Sequence, residues 1–394
     1  MPISTNTNIT QGNNQFITNR LATLVALSIA QDASFLKSGS VDYFGDQIKS
    51  IMRPGETYEF IIPDAGNVVQ GLVASPRDIE EKKIDLSIDN WVNSYNISAL
   101  QAVVDANKEE DWAKRYAVKV INAVLDKYIP AAVAKSTTAF VGTGFLPLAQ
   151  GGAYLSSIVS EDLKGWINPQ AQAILASNGQ QFIPKGGPED LYGKGKLGLF
   201  HGVEYFAERH VKGVNVSAAL AGATITAQLN SHKVTITSTV EMPEGLPVIV
   251  KGLKACDTIG DPTEVDRAFV IPEAGTSATF DVIDDDIGAR DTFATGESLV
   301  CQIPEEGQYF GAYLRADGAY NFSDCNMLDF KLASAFESAV GDVDGIRLQM
   351  NAFTDGKTAQ NLVRADFTFL GGVVEPRATT YCLIKNLVNN IVNG

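Results

Sequence analysis

Residues 213–303 set six short strand-forming runs, at 224–229, 233–240, 247–253, 268–273, 277–283 and 298–303, between clusters of Gly, Pro and Asp. Each run is too short for a stable helix and is rich in the Val, Ile, Thr and Phe that suit a pleated surface. Such a block buries its apolar side chains by curling on itself, so it reads as a small six-stranded β-barrel inserted as a unit. The sequence on both sides is mixed in texture, which makes the fold class α+β.

Upstream of the insert the strongest signal is a helix that starts at Asn107, with Glu110 three residues on as in a capping box. Trp112, Ala113, Tyr116, Ala117, Val120, Ile121, Val124, Leu125 and Tyr128 recur at i, i+3, i+4 spacing, and Pro130 is expected to close or kink the helix. Roughly 22 residues at ~1.5 Å each make a rod of ~33 Å, a spine for a domain. A second amphipathic helix is expected over 20–37. The residues before it, 1–19, are mostly Asn, Thr, Ser and Gln and hold too little apolar surface to fold alone, so they read as an arm. Between the two helices, Val41 to Phe44, Thr57 to Ile62 and the alternating Ile84 to Asp89 are extended. The mixed charges from Arg77 to Lys83 connect the last two runs into a second arm.

After the spine come Thr143 to Pro147, a turn in the Gly150s, a helix from about Pro169 to Ala176 and a loop-rich stretch to His210. Beyond the insert the pattern predicts a helix at about 326–340 and a final pair of strands, 362–370 and 377–385, around Gly371 to Pro376.

The 394 residues carry a formal charge of −15, with 45% hydrophobic and 20% charged residues. That balance fits a globular chain with a large core, and it repels phosphate backbones, so a nucleic-acid reader is disfavoured. Lys233, Lys251, Lys254, Arg267 and Arg290 face thirteen acidic residues in 213–303, which gives the insert −8 of the −15. Cys256, Cys301, Cys325 and Cys382 lie 45, 24 and 57 residues apart without zinc spacing and read as reduced, buried thiols. Leu21 to Ala30 imitates a signal-peptide core, but it is preceded by nineteen mostly neutral polar residues and then Arg20 as the single positive charge, so an ordinary helix is the better reading. No apolar run reaches membrane-spanning length.

Templates for chemistry fail one by one. There is no G-x-S-x-G, H-E-x-x-H or G-x-G-x-x-G after a strand. Gly193 to Gly198 lacks the spacing of a phosphate loop and reads as a basic turn. His201, His210 and His232 are the three histidines, and the first two are expected at the surface. Asp284 to Gly288 and Asp342 to Gly345 lack the ligand series of a calcium loop and read as solvated turns. No catalytic residue, cofactor or metal is expected.

The landmarks that remain are Tyr43, Gly55-Glu56-Thr57, Phe60 and Pro63 at the head, the helix from Asn107 to Tyr128, Glu244 to Gly252 in the insert, and Arg364, Asp366, Gly371, Gly372, Glu375, Pro376 and Ala378 at the tail. In this order they resemble a tailed-phage major capsid protein, of the short-tailed-phage type that carries an inserted β-barrel on the Hong Kong 97-type fold. The resemblance implies an N-terminal arm at 1–48, an E-loop with adjoining strands at 49–98, and a peripheral domain with its spine helix at 99–140. It further implies an axial domain at 141–212 and 304–360 around the insert at 213–303, and a return to the peripheral domain at 361–394. Arg77, Asp78, Glu80, Glu81, Lys82 and Lys83 are then expected in E-loop contacts between subunits, and Asp257, Asp261, Glu264, Asp266 and Arg267 in contacts made by an insert loop running from 257 to 267.

The implied partners are other copies of the chain, as hexamers and pentamers of an icosahedral shell, with a separate scaffolding protein, a portal protein and a decoration protein. The shell would enclose double-stranded DNA without reading its sequence and would assemble in the bacterial cytoplasm, away from any membrane. Two other classes compete: a secreted β-rich adhesin or surface-layer protein, and a carbohydrate-active enzyme whose carboxylate pair hides among 46 acidic residues.

Overall fold

The computed structural model describes the backbone of residues 57–63, 81–97, 109–177, 196–230, 233–258, 261–281, 298–324, 337–343, 346–355 and 360–387, with isolated helical positions at Thr23, Ala26, Leu27 and Phe35. Those four positions fall inside the helix expected over 20–37. The expected strand at Val41 to Phe44, the capping Asn107 and Cys325 lie outside the described residues.

In chain order the elements are β1 (Thr57–Pro63), β2 (Glu81–Ile97), helix α1 (Glu109–Ala134), β3 (Thr138–Gly142), α2 (Leu146–Ile158), β4 (Leu163–Ile167), α3 (Pro169–Ser177), β5 (Lys196–Phe200), β6 (Val203–Ala207) and β7 (Val214–Val216). The insert follows with β8 (Ile225–Asn230), β9 (Lys233–Met242), β10 (Pro247–Cys256), β11 (Pro262–Val270), β12 (Gly275–Asp281) and β13 (Ser298–Gln302). The chain then returns through β14 (Gly307–Ala316), β15 (Tyr320–Asp324), β16 (Glu337–Val343), β17 (Ile346–Asp355), β18 (Gln360–Val373) and β19 (Thr379–Lys385). It divides into two compact units, one built on Asp85–Asp126 with Asn321–Gly371, the other on Lys127–Tyr320 with Gly372–Gly394.

Helix α1 runs 26 residues and continues through Pro130 instead of ending there. On its described part Ala117, Val120, Ile121, Val124, Leu125 and Tyr128 are buried, the spacing the sequence predicts. The first sheet has the order β1-β2-β18-β17-β16, with β15 also pairing to β18. β2 is a 17-residue strand whose Ile88 to Ile97 half lies antiparallel to Leu370 to Asn361. The expected helix at 326–340 meets a strand over its last residues, because Glu337 to Val340 are bound in the β16–β17 ladder. The same ladder places Asp342 opposite Arg347, within a hairpin strand and not in a loop.

The second sheet is mixed and seven-stranded, in the order β3-β19-β14-β4-β6-β5 with β7 on β14. β3–β19 and β4–β6 are parallel, and the other pairs are antiparallel. β18 and β19, expected as a final pair, therefore belong to different sheets. On one face of this sheet, α2 and α3 bury Leu148, Leu155, Ala171, Leu175, Ala312, Leu314 and Cys382. The turn expected in the Gly150s is the middle of α2. Its glycines serve close approach: a Cβ on Gly151 would meet Cys382 Sγ at 2.8 Å, and one on Gly152 would meet Val203 at 3.1 Å. On the opposite face the Arg315 guanidinium stacks between Trp166 at 4.5 Å and Tyr320 at 4.2 Å.

The six expected insert strands form a third sheet, antiparallel throughout, in the order β11-β10-β13-β8-β9-β12. It curls around Ala227, Leu229, Val234, Ile236, Val250, Leu253 and Leu299. Phe269 of β11 meets Phe280 of β12 across the mouth, with ring centroids 5.1 Å apart. The expected closed barrel is a half-barrel, since β11 and β12 do not pair. The physical reason lies on the outer edge of β11, where Ala268 N–H donates to Thr137 O at 2.9 Å, just ahead of β3. The strand edge that could have closed the seam is bonded to the mixed sheet's entry instead.

Candidate functional site

Burial raises the phenols of Tyr154 and Tyr313 to about 12 and the Cys301 thiol to about 11, and it pushes Tyr381 and Cys382 up as well. Each change favours the neutral, unreactive form. The Arg315 guanidinium is lowered to about 10 by burial, opposed by Tyr313, Tyr320 and Asp317. Cys256 and Cys382 are buried free thiols as expected, whereas Cys301 is only half-buried. Among the described residues no group of three or more His, Cys, Asp or Glu side chains could hold a metal ion.

His201 is exposed at the β5–β6 turn, with a φ of 47° and its ring edge-on to Phe200. His210, expected at the surface, is buried with Nδ1 against Glu208 Oε1. A cavity of about 300 Å³ lies among Ile158, Glu161, Thr258, Gly318, Glu375 and Ala378. Its two carboxylates are committed: Glu161 accepts from Gly318 N–H at 2.8 Å, and Glu375 accepts from the Arg377 guanidinium at 2.7 and 2.8 Å.

The expected contact residues divide into two groups. Arg77, Asp78 and Glu80 lie outside the described residues, and Glu81, Lys82 and Lys83 open β2, where their backbone alone is described. In the insert, the expected loop from 257 to 267 is cut short, because β10 ends at Cys256 and β11 already begins at Pro262. Asp257 closes it by accepting from Asp261 N–H at 2.9 Å, while Asp257 N–H donates to Asp261 O at 2.9 Å. Thr258 Oγ1 donates to Ile158 O at 3.2 Å and ties the loop to the end of α2.

Glu264, Asp266 and Arg267 are strand residues. Lys254 Nζ donates to Glu264 O at 2.8 Å and to Asp266 Oδ1 at 2.9 Å, and Lys251 Nζ lies 3.4 Å from Asp266 Oδ2. Partial burial works against the Asp266 carboxylate, but the two lysines outweigh it and hold the group below its ordinary value of 3.8. Arg267 is buried, with its guanidinium 5.2 Å from the centre of the Phe269 ring.

The structure adds a surface that the sequence reading did not single out. On the outer face of the curled sheet, Val300, Thr226, Thr237 and Ser277 fall in one cross-strand row, and Ser298, Gln228, Thr235 and Thr279 in the next. Thr226 and Thr237 hydroxyls are 3.0 Å apart, those of Thr235 and Thr279 are 3.3 Å apart, and Val300 is 72% exposed. The alternation Thr235, Thr237, Thr239 in β9 was the available signal. These rows carry no charge although the insert holds −8.

No protein-family model and no curated protein sequence matches the chain. Among solved structures, the capsid of Ralstonia phage GP4 is similar at 8% identity and a TM-score of 0.46, covering 91% of this chain and 92% of that one. A virus-like particle from Pyrococcus furiosus is similar at 8% identity and 0.41, over 92% and 97%. The capsid of the cyanophage P-SCSP1u is similar at 10% identity and 0.40, over 85% of each chain.

Proposed function

We propose that this chain is a self-assembling shell protein, the major capsid protein of a tailed bacteriophage. The observation that carries the reading is the length of β2. Seventeen residues at ~3.3 Å make a strand of ~56 Å, about three times the common strand length. Such a strand serves two places: its Ile88 to Ile97 half pairs with β18, while Glu81 to Ser87 run on beyond that register, and β2 with its other neighbour β1 makes a ribbon suited to lie on a neighbouring subunit. The order of parts supports the same reading, with arm and ribbon first, then the spine helix, the mixed sheet interrupted by a β insert, and the terminal strands.

In this reading the N-terminal arm is 1–48, the E-loop region 49–98, the peripheral domain 99–140 and 361–394, the axial domain 141–212 and 304–360, and the insert 213–303. Assembly needs geometry and no bond chemistry. Many small contacts repeated around closed rings of five and six copies sum to a stable shell. Mixed charges at Arg77, Asp78, Glu80, Glu81, Lys82 and Lys83 fix the register of the ribbon more than they add affinity. An acidic lining releases packaged double-stranded DNA more readily than a basic one. A scaffolding protein, a portal protein and a decoration protein are the partners this reading implies, with assembly in the bacterial cytoplasm and residence in the virion.

The test is sedimentation velocity with negative-stain microscopy on the full chain at rising concentration. Closed or aberrant shells, or discrete pentamers and hexamers, are the expected result. Reversing the charges of Glu80, Glu81, Lys82 and Lys83 together should leave the monomer folded and lower the shell yield. A monomer at every concentration overturns the reading and returns the adhesin and the carbohydrate-active enzyme.

A further inference from the structure

The curled sheet ends in two edges that are protected very differently. β11 opens on Pro262, donates from Ala268 N–H to Thr137 O, and carries Asp266 between Lys254 and Lys251. Proline, ion pairs and a covering segment are the devices by which natural sheets blunt an edge. Along its middle, and among the described residues, β12 has none of them. It pairs with β9 from Gly275 opposite Met242 to Asp281 opposite Lys233, and among the described residues no strand lies on its other side. Its stretch Thr276-Ser277-Ala278-Thr279-Phe280 contains neither proline nor charge, and the one charged residue of the strand, Asp281, sits at its end beside Lys233 at 3.4 Å.

We infer that β12 is an intersubunit edge that pairs antiparallel with β12 of a second copy of this chain. Self-pairing is the solution that the charge distribution favours. Two chains that each carry −15 repel one another over most of their surfaces, but this edge and the hydroxyl rows beside it are neutral and offer a charged partner nothing to grip. Centred on Ala278, antiparallel pairing sets Ser277 opposite Thr279 and Asp281 opposite Gly275, so no like charges meet. The contact is isologous, with its twofold axis through the edge, and it joins two curled sheets into one continuous ladder. It rests on the shell-forming reading for the abundance of neighbouring copies.

Ala278→Cys tests it in the full-length protein. Directly opposed antiparallel residues have Cα atoms about 4.5–5.5 Å apart, a separation that a disulfide spans. Mild oxidation of assembled A278C should convert most of the chain to a disulfide-linked dimer on a non-reducing gel. The parent protein and T226C, whose thiol lies on the outer face and two strands inward from the edge, should not convert. Ser277→Lys with Thr279→Lys places lysines opposite one another and should raise the concentration needed for assembly by at least about tenfold, the effect of ~1.4 kcal/mol. Shells that form without A278C cross-linking and are indifferent to the two lysines overturn the edge pairing and leave the shell reading intact. Cross-linked dimers without shells uphold the edge and overturn the shell. A monomer that never cross-links overturns both.

Discussion

The mixed sheet and the curled insert sheet belong to one compact unit and solve the same problem in opposite ways. β14 is buried from Tyr309 to Leu314 and on to Ala316, and β19 is buried from Thr379 to Ile384, because helices cover one face and the Arg315 and Trp166 layer sits on the other. The insert's β8 and β9 instead alternate between buried and open positions, with apolar residues inward and threonines outward. A sheet covered on both faces has no room for a polar stripe, whereas a sheet with one wet face must display one. The first gains rigidity, and the second keeps a surface on which another molecule can act.

Three changes would break or sharpen that contrast. The largest effect is expected from Trp166→Ala, which empties a fully buried site and removes one wall of the Arg315 stack. A loss of about 3–5 kcal/mol is expected from the urea midpoint of the full chain. A loss below about 1 kcal/mol would mean that the mixed sheet is not the rigid member.

An intermediate effect is expected from Asp266→Asn in the insert. The folded carboxyl titrates below its ordinary value of 3.8 because Lys254 and Lys251 outweigh the cost of burial. Its stabilisation is therefore present above that value and fades as pH falls through the lower, folded value. The parent should exceed the variant by less than about 1 kcal/mol at pH 6, and the two unfolding curves should converge at the acid end of a pH 2–6 series. A gap that persisted at pH 2 would assign the effect to packing, not charge.

The smallest effect belongs to Val300→Ala on the outer face. At 72% exposure the side chain has little to lose, so the thermal midpoint of the isolated chain should stay within the shift expected for ~0.5 kcal/mol. A larger drop would reveal that the open face is covered in the monomer.

The same contrast explains what could be read in advance. The number of insert strands was legible, most clearly in β8 and β9, where alternation is the signal that a half-exposed sheet leaves in its sequence, but the fourth was placed late, since β11 runs from Pro262 to Val270 where 268–273 was expected. The strands of the mixed sheet were mostly illegible. Leu163 to Ile167 and Gly307 to Ala316 are short runs buried on both faces, and periodicity cannot tell those from buried helix. The glycines of α2 misled for a related reason: Gly151 and Gly152 look like a turn locally and are required by Cys382 and Val203, which lie far along the chain.

At the expected insert loop the residues were read correctly as charged, but their partners were hidden. Nothing in the order of residues states that Lys254 will reach Asp266 across β10 and β11, or that Arg267 will fold down onto Phe269. The unguarded β12 edge was equally hidden, since an edge is a property of strand order and not of any one strand.

The pairing of β7 with β14 has a consequence for how the chain finds its fold. Val216 stands opposite Gly307, so the insert leaves the mixed sheet and returns to it at neighbouring points of one ladder. Were the intervening segment an unstructured loop of about 90 residues, closing it would cost ~3 kcal/mol more than closing a two-residue turn. An insert that folds early with its ends together lifts that entropic burden before β14 is committed. With its ends held together in this way, β7 and β14 stand to the mixed sheet as the two arms of a hairpin.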